Sequence, residues 1–323
     1  MYYIVDVLKA LACLLIANFH SDILFPDNLR ILAFGGDIGN NIFFLISGFT
    51  IWPSVERSTN GDWCQWYQKR LMRICPMVFF FYILTWITGG VQIASFKEAF
   101  SCFVFPTIYW FTGAILVLYI LFYVVEKCIR ARVARLGICV MLVVLHLVYD
   151  SLYAERYFVG FMAMLIGAEI RRETDSITER RNLSAGLLGC AGFFTGLYCV
   201  LKLLRMKGVE VLGLIHLGIG ITTILVGVSV LLWGIANDSL LKVLFSGHVK
   251  LWKCICAVSG MTMAVYLTMG FNDRILMKQF LQYVPFPLSY ILDLLASMLI
   301  AYFLTLLDSA MHKKYVKNKA DNT

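Results

Sequence analysis

Tyr3-Ile-Val-Asp6-Val-Leu-Lys9-Ala-Leu-Ala-Cys13-Leu-Leu-Ile-Ala-Asn-Phe-His20 is an almost unbroken apolar run that carries two basic residues and one carboxylate. A run of this length reads as a membrane-spanning helix, since about 20 residues rising 1.5 Å each cross about 30 Å of hydrocarbon. It is too long and too charged inside for the apolar region of a cleaved signal peptide, so it is expected to be a retained span. An ionisable residue in such a span is costly and normally faces protein interior or a cavity. At about 100° per residue, the eleven steps from Lys9 to His20 end within about 20° of three full turns. The two side chains therefore share a helix face, separated by about 16 Å along the axis. Asp6 lies three residues before Lys9, on the same face, where pairing lowers the cost of burying both.

The rest of the chain follows the same pattern. Hydrophobic residues make up 60% of the sequence and charged residues 15%, with a mean hydropathy of +0.78. Soluble domains carry about 25% charged residues. The fold class expected is an all-α polytopic membrane protein. About ten transmembrane helices can be drawn, near 3–20, 38–54, 74–93, 104–125, 136–150, 156–170, 184–204, 211–235, 254–271 and 286–308. Residues 1–323 are read as one integral-membrane domain, with 312–323 a short basic tail. No internal repeat stands out. The ten cysteines lie mostly in apolar runs and form no CxxC pair. They read as packing residues with free thiols, and no metal site is expected.

Lysine and arginine placement orients the spans. With the N-terminus cytoplasmic, nineteen of the 28 basic residues fall in inside loops and the tail, eight fall outside, and Lys9 lies within the first span. Both termini are therefore expected to be cytoplasmic. The formal net charge of +8 is accounted for as topology and does not call for nucleic acid.

Two further stretches carry chemistry. Trp63-Cys-Gln-Trp-Tyr-Gln-Lys-Arg70-Leu-Met-Arg73-Ile-Cys-Pro76 places two arginines three residues apart, on one helix face. Paired guanidiniums hold phosphates bidentately. Pro76 is expected in the first turn of the third span. The second span, with Gly39, Asn40, Asn41, Phe43, Ser47, Gly48 and Phe49, brings small residues that let helices approach closely. Asn41 is a polar residue for a cavity wall. His146, His216 and Asp293 are other polar residues within spans that read first as packing residues, with a cavity lysine the alternative partner for Asp293.

The order Asp6…Lys9-x10-His20, then Phe43-Phe44-x-x-Ser47-Gly48-Phe49, then Arg70-x-x-Arg73 resembles the membrane-bound acyltransferase-3 family, which includes bacterial polysaccharide and lipopolysaccharide O-acetyltransferases. Tyr109-Trp110-Phe111 with Tyr119 is similar to that family's fourth-span signature, and Phe161…Gly167 to its sixth. Lys9 stands where arginine is more usual, Asn40 where valine is common, and Met269 where many members carry histidine.

The resemblance implies transfer of an acyl group, acetyl above all, from cytoplasmic acetyl-CoA or another acyl-CoA to a hydroxyl of a glycan or glycolipid. It implies a bacterial inner-membrane location, membrane lipid as surroundings and no nucleic-acid partner. The residues themselves fit that chemistry. A neutral histidine suits general-base catalysis near neutral pH, which makes His20 the candidate base. Lys9 is a candidate to orient the donor or stabilise developing negative charge. Arg70 and Arg73 are candidates for the CoA phosphates, and Asp6, Asn41, Ser47 and Trp110 for support. The alternative is a small-solute or glycan transporter, for which an internal repeat with broken helices would be expected.

Overall fold

The computed structural model describes residues 2–59, 62–93, 95–98, 109–148, 155–179, 184–209, 213–275 and 280–321. Among these, regular structure is helical and no strand occurs. That is the outcome lipid imposes, since a helix satisfies its backbone groups within one segment.

In chain order the helices are α1 (Tyr3–His20), α2 (Gly36–Glu56), α3 (Trp63–Ile87), α4 (Trp110–Cys128), α5 (Arg132–Val148), α6 (Gly160–Arg172) and α7 (Thr174–Glu179). They continue with α8 (Ser184–Met206), α9 (Leu214–Ala236), α10 (Asp238–Gly247), α11 (Val249–Gly260), α12 (Thr262–Arg274) and α13 (Leu288–Asp321). A π-helical segment, Glu155–Val159, leads into α6.

Among the described residues, seven segments are long and apolar enough to cross a membrane: Tyr3–His20, Arg30–Glu56, Trp63–Ile87, Trp110–Cys128, Gly186–Met206, Leu214–Ala236 and Leu288–Leu306. The ninth expected span is broken. α11 and α12 meet at 63° and pass the same test only as a pair. The fifth and sixth expected spans fall on α5 and α6, of 17 and 13 residues. The loop expected between them lies largely outside the described residues.

Pro76 corrects the expectation for the third span. α3 begins at Trp63, so Pro76 sits well inside a continuous helix rather than in its first turn. The aromatic and basic residues before it already propagate the helix. The ring then removes one backbone donor, which a membrane helix tolerates.

The chain divides into two compact units. The first comprises Met1–Ala12, Asp37–Arg70 and Ala114–Cys256. The second comprises Cys13–Gly36, Leu71–Gly113 and Ala257–Thr323.

The first unit is held by close backbone approach. A β-carbon on Gly48 of α2 would lie 1.9 Å from the Met164 carbonyl oxygen of α6. One on Gly167 of α6 would lie 2.0 Å from the Leu45 carbonyl oxygen of α2. The two glycines thus face each other's helices, which is how small residues replace the hydrophobic effect inside a bilayer. Gly234 of α9 is met instead by a side chain, that of Ile4 of α1, 2.1 Å from where a β-carbon would lie.

At one end of this unit an ion-pair network ties α4, α5 and α6. Glu169 accepts from Arg135 at 2.5 Å and from Arg172 at 2.6 Å, and Arg172 also pairs with Glu126. Elsewhere in the unit, Lys202 of α8 bonds Asp37 of α2 at 2.6 Å. The second unit packs α12 against α13.

Backbone cannot move aside as a flexible side chain can, so Gly48→Ala is expected to destabilise by about 2–3 kcal/mol. Gly186→Ala, with open space at that position, is expected to be neutral or stabilising by up to about 1 kcal/mol. Thermal unfolding of both variants in detergent checks the pair.

Candidate active site

His20 is the last residue of α1 and is half-buried. Directly after it, Ser21 turns its hydroxyl back onto the Ala17 carbonyl, at 3.0 Å. A short 3-10 turn, Asp22–Leu24, follows. Asn18, two residues before His20, donates to the carbonyls of Leu32 and Phe34 at 2.8 and 3.0 Å. It accepts from the Tyr290 hydroxyl of α13 at 3.1 Å. The Phe19 ring meets the imidazole edge-on, with centroids 5.8 Å apart. Side-chain hydrogen bonds to backbone therefore fix the end of α1 that carries the imidazole.

Next to it lies a buried polar cluster. Ser21 Oγ donates to Asp293 Oδ2 at 2.8 Å. Asn272 Nδ2 lies 3.2 Å from Asp293 Oδ1 and 2.6 Å from Ser297 Oγ. Ser21, Asn272, Asp293 and Ser297 are all fully buried, as is Ser289, one turn before Asp293 on α13. A carboxylate at such a place is costly unless hydrogen-bonded. The alternative of a lysine partner for Asp293 is not what the structure shows: among the described residues its partners are a hydroxyl and an amide. A lysine would be a second charge to bury, whereas two neutral donors already satisfy both oxygens. Asp22 lies two residues after His20. Asp22 is itself tied to Arg30 at 2.9 Å.

The other expected site residues lie as follows. Lys9 and Asp6 are half-buried on successive turns of α1. Arg70 and Arg73 are both on α3. The Arg70 guanidinium lies over the Trp66 ring, 4.1 Å from its centroid, and donates to the Trp66 carbonyl and to Ser54 Oγ at 2.8 and 2.6 Å. The Trp66 indole N–H also donates to Ser54, at 3.1 Å. Arg70 thus fastens α3 to α2, while Arg73 is exposed. Asn41 is buried and donates to Thr223 Oγ1 of α9 at 2.6 Å, a bond between helices. Ser47 is half-buried in the α2 turn before Gly48. Trp110 opens α4, its ring edge-on to Phe111 at 5.9 Å. Among the described residues no cluster of His, Cys, Asp and Glu is placed to hold a metal ion.

Sequence reading did not single out Ser21, Asn272 or Asp273. Asn272-Asp273 was visible as a polar pair closing an apolar segment, a pattern shared by most spans.

The family model for an acyltransferase domain matches residues 2–307. No curated protein and no solved structure matches.

Removing the Asp293 carboxylate takes one acceptor from each of two buried donors and leaves a void. Asp293→Ala is therefore expected to lower stability by about 1–3 kcal/mol, since Ser21 and Asn272 each keep one other acceptor. A melting temperature equal to that of the parent protein would refute this.

Proposed function

This chain belongs to the membrane acyltransferase family 3, and from that premise we propose that it transfers an acyl group, acetyl above all, from cytoplasmic acyl-CoA to a hydroxyl of a surface or exported polysaccharide or glycolipid. As a multi-pass membrane acyltransferase, it is proposed to work in a bacterial inner membrane with about ten spans and both termini cytoplasmic. The basic-residue bias of the loops supports that orientation.

The observation that carries the reading is His20. It is a half-buried imidazole closing a membrane helix, beside a buried polar cluster, in a chain of a family that performs acyl transfer. Acting as general base, His20 takes the proton of the acceptor hydroxyl while the oxygen attacks the thioester carbonyl. The carbon–sulfur bond then breaks, and the departing sulfur recovers the proton from the imidazolium.

Lys9 lies about 16 Å from His20 along α1. That separation exceeds the reach of a lysine side chain, so Lys9 is assigned to the donor and not to the oxyanion forming beside His20. Arg73 is the better placed of the two arginines for a CoA phosphate, because it is exposed. Arg70 has protein partners already. A transporter reading is not favoured by the family match.

Two measurements test the proposal. His20→Ala should abolish acylation of surface glycan, read by mass spectrometry, while the protein still inserts. Normal acylation in that variant would remove His20 as the base. Arg73→Ala should weaken acyl-CoA binding about tenfold, since a charge-assisted hydrogen bond contributes roughly 1.5–3 kcal/mol. Arg70→Ala should in addition loosen α3 and lower the melting temperature. Unchanged CoA affinity in both variants would withdraw the donor-site assignment.

A further inference from the structure

We propose that the groove between the start of α3 and the end of α4 is a site for one anionic phospholipid, its phosphate at Lys127 and an acyl chain along Val124 and Ile120. The inference goes beyond the acyl-transfer reading and stands or falls without it.

The groove is a built cavity. Its volume is about 470 Å³, within the range of about 300–1,000 Å³ typical of small-molecule sites. Hydrogen bonds within the protein fix its aromatic wall. The Trp66 indole donates to Ser54 Oγ at 3.1 Å, and the Arg70 guanidinium lies over its ring. Tyr123 packs on Trp66 with centroids 5.0 Å apart. Its hydroxyl accepts from Ser58 Oγ at 3.2 Å and donates to the Thr59 carbonyl at 3.4 Å. Tyr67 donates to the Leu116 carbonyl at 3.3 Å, and its ring lies beside that of Trp63. The wall therefore needs no ligand to hold its shape.

Position selects a lipid. Trp63–Ile87 and Trp110–Cys128 are both long and apolar enough to cross a membrane. Trp63 opens the first, and Lys127 lies in the last turn of the second. Tryptophan, tyrosine and lysine gather at this level, where hydrocarbon meets water. Val124 and Ile120 lie three and seven residues before Lys127, close to its face of the helix. They continue the lining of the cavity, reaching about 10 Å deeper at 1.5 Å per residue. Both are exposed. An acyl chain covers such a strip and removes it from water.

Charge selects the headgroup. Among the described residues that line the cavity, Lys127 is the charged one. Its ammonium has three donors. Among the described residues one acceptor meets it, the Ser58 carbonyl. The carboxylate of Asp62, in the same loop as Ser58, accepts from the Thr59 amide and hydroxyl at 3.2 and 2.5 Å. A phosphodiester therefore finds a cation here. The ammonium of a zwitterionic headgroup finds no carboxylate among the described lining residues.

The experiment uses the full-length protein in detergent and native mass spectrometry. Phosphatidylglycerol, phosphatidylethanolamine and phosphatidylcholine with the same acyl chains are titrated in turn. One phosphatidylglycerol is expected to bind about fivefold more tightly than either other lipid, the effect of one lysine on an anionic headgroup. Lys127→Gln should abolish that preference, and Lys127→Arg should keep it. Val124→Trp, at an exposed position, should fill the groove and remove the bound lipid. Lys242→Gln, at an exposed lysine of the same unit, should leave binding unchanged.

Equal binding of the three lipids overturns the proposal. So does a preference that survives Lys127→Gln, or one that Lys242→Gln lowers as much as Lys127→Gln does. Should Lys127→Gln fail to accumulate, Val124→Trp decides, and lipid bound as tightly as in the parent protein overturns the site. Acetyl-CoA is added last. If it displaces phosphatidylglycerol competitively, the groove belongs to the acyl donor and the lipid assignment falls.

Discussion

Hydrocarbon offers no hydrogen bonds, and nearly every feature of this molecule follows from that constraint. Backbone groups must be satisfied within each segment, so the described residues form helices and no strands. Hydroxyls inside spans turn back on their own helix, as Thr85 does onto Phe81 and Thr223 onto Ile219. Polar side chains without such an outlet gather in clusters, of which the knot around Asp293 is the most buried. Burial of apolar surface gives little net attraction between helices already surrounded by lipid. The approach of α2 to α6 at Gly48 and Gly167 therefore has to supply adhesion by contact.

The same constraint separates two kinds of polar residue. Some are structural: Asn41 bonds Thr223, and Arg70 bonds Ser54 and lies over Trp66. In water such contacts would be worth little, but in a bilayer the alternative is an unsatisfied group. Others stand at the margin between burial and access, among them His20, Asp273 and Arg73. The proposed chemistry draws on His20 and Arg73. Asp293 links the two kinds, a fully buried group whose partners sit beside half-buried ones.

Much of the architecture is legible along the chain because hydropathy is a local property. The first span, the glycine-bearing second span and the length of the eighth and ninth helices follow from composition and residue spacing. Local reading fails where geometry depends on a neighbour. It places Pro76 at a helix start, whereas the segment from Trp63 already forms helix and carries the proline in its interior. It draws the ninth span straight, whereas the chain bends by 63° between α11 and α12. It leaves a lysine open as the partner of Asp293, since opposite charge is the usual partner of a buried carboxylate. The donors it finds are Ser21, 272 residues away, and Asn272 on the adjacent helix.

By itself, then, the sequence determined the class, the family and the candidate base. Apolar run lengths, charge bias and the ordered residues from Asp6 through Arg73 need no partner to be read. Only the tertiary structure decided which polar residues are already engaged and which remain available. It committed Arg70 to Ser54, left Arg73 exposed and brought Ser21 and Asn272 to one carboxylate. The physical reason is that hydropathy is written residue by residue. A hydrogen bond in lipid is a choice among partners that only helix packing brings within about 3 Å.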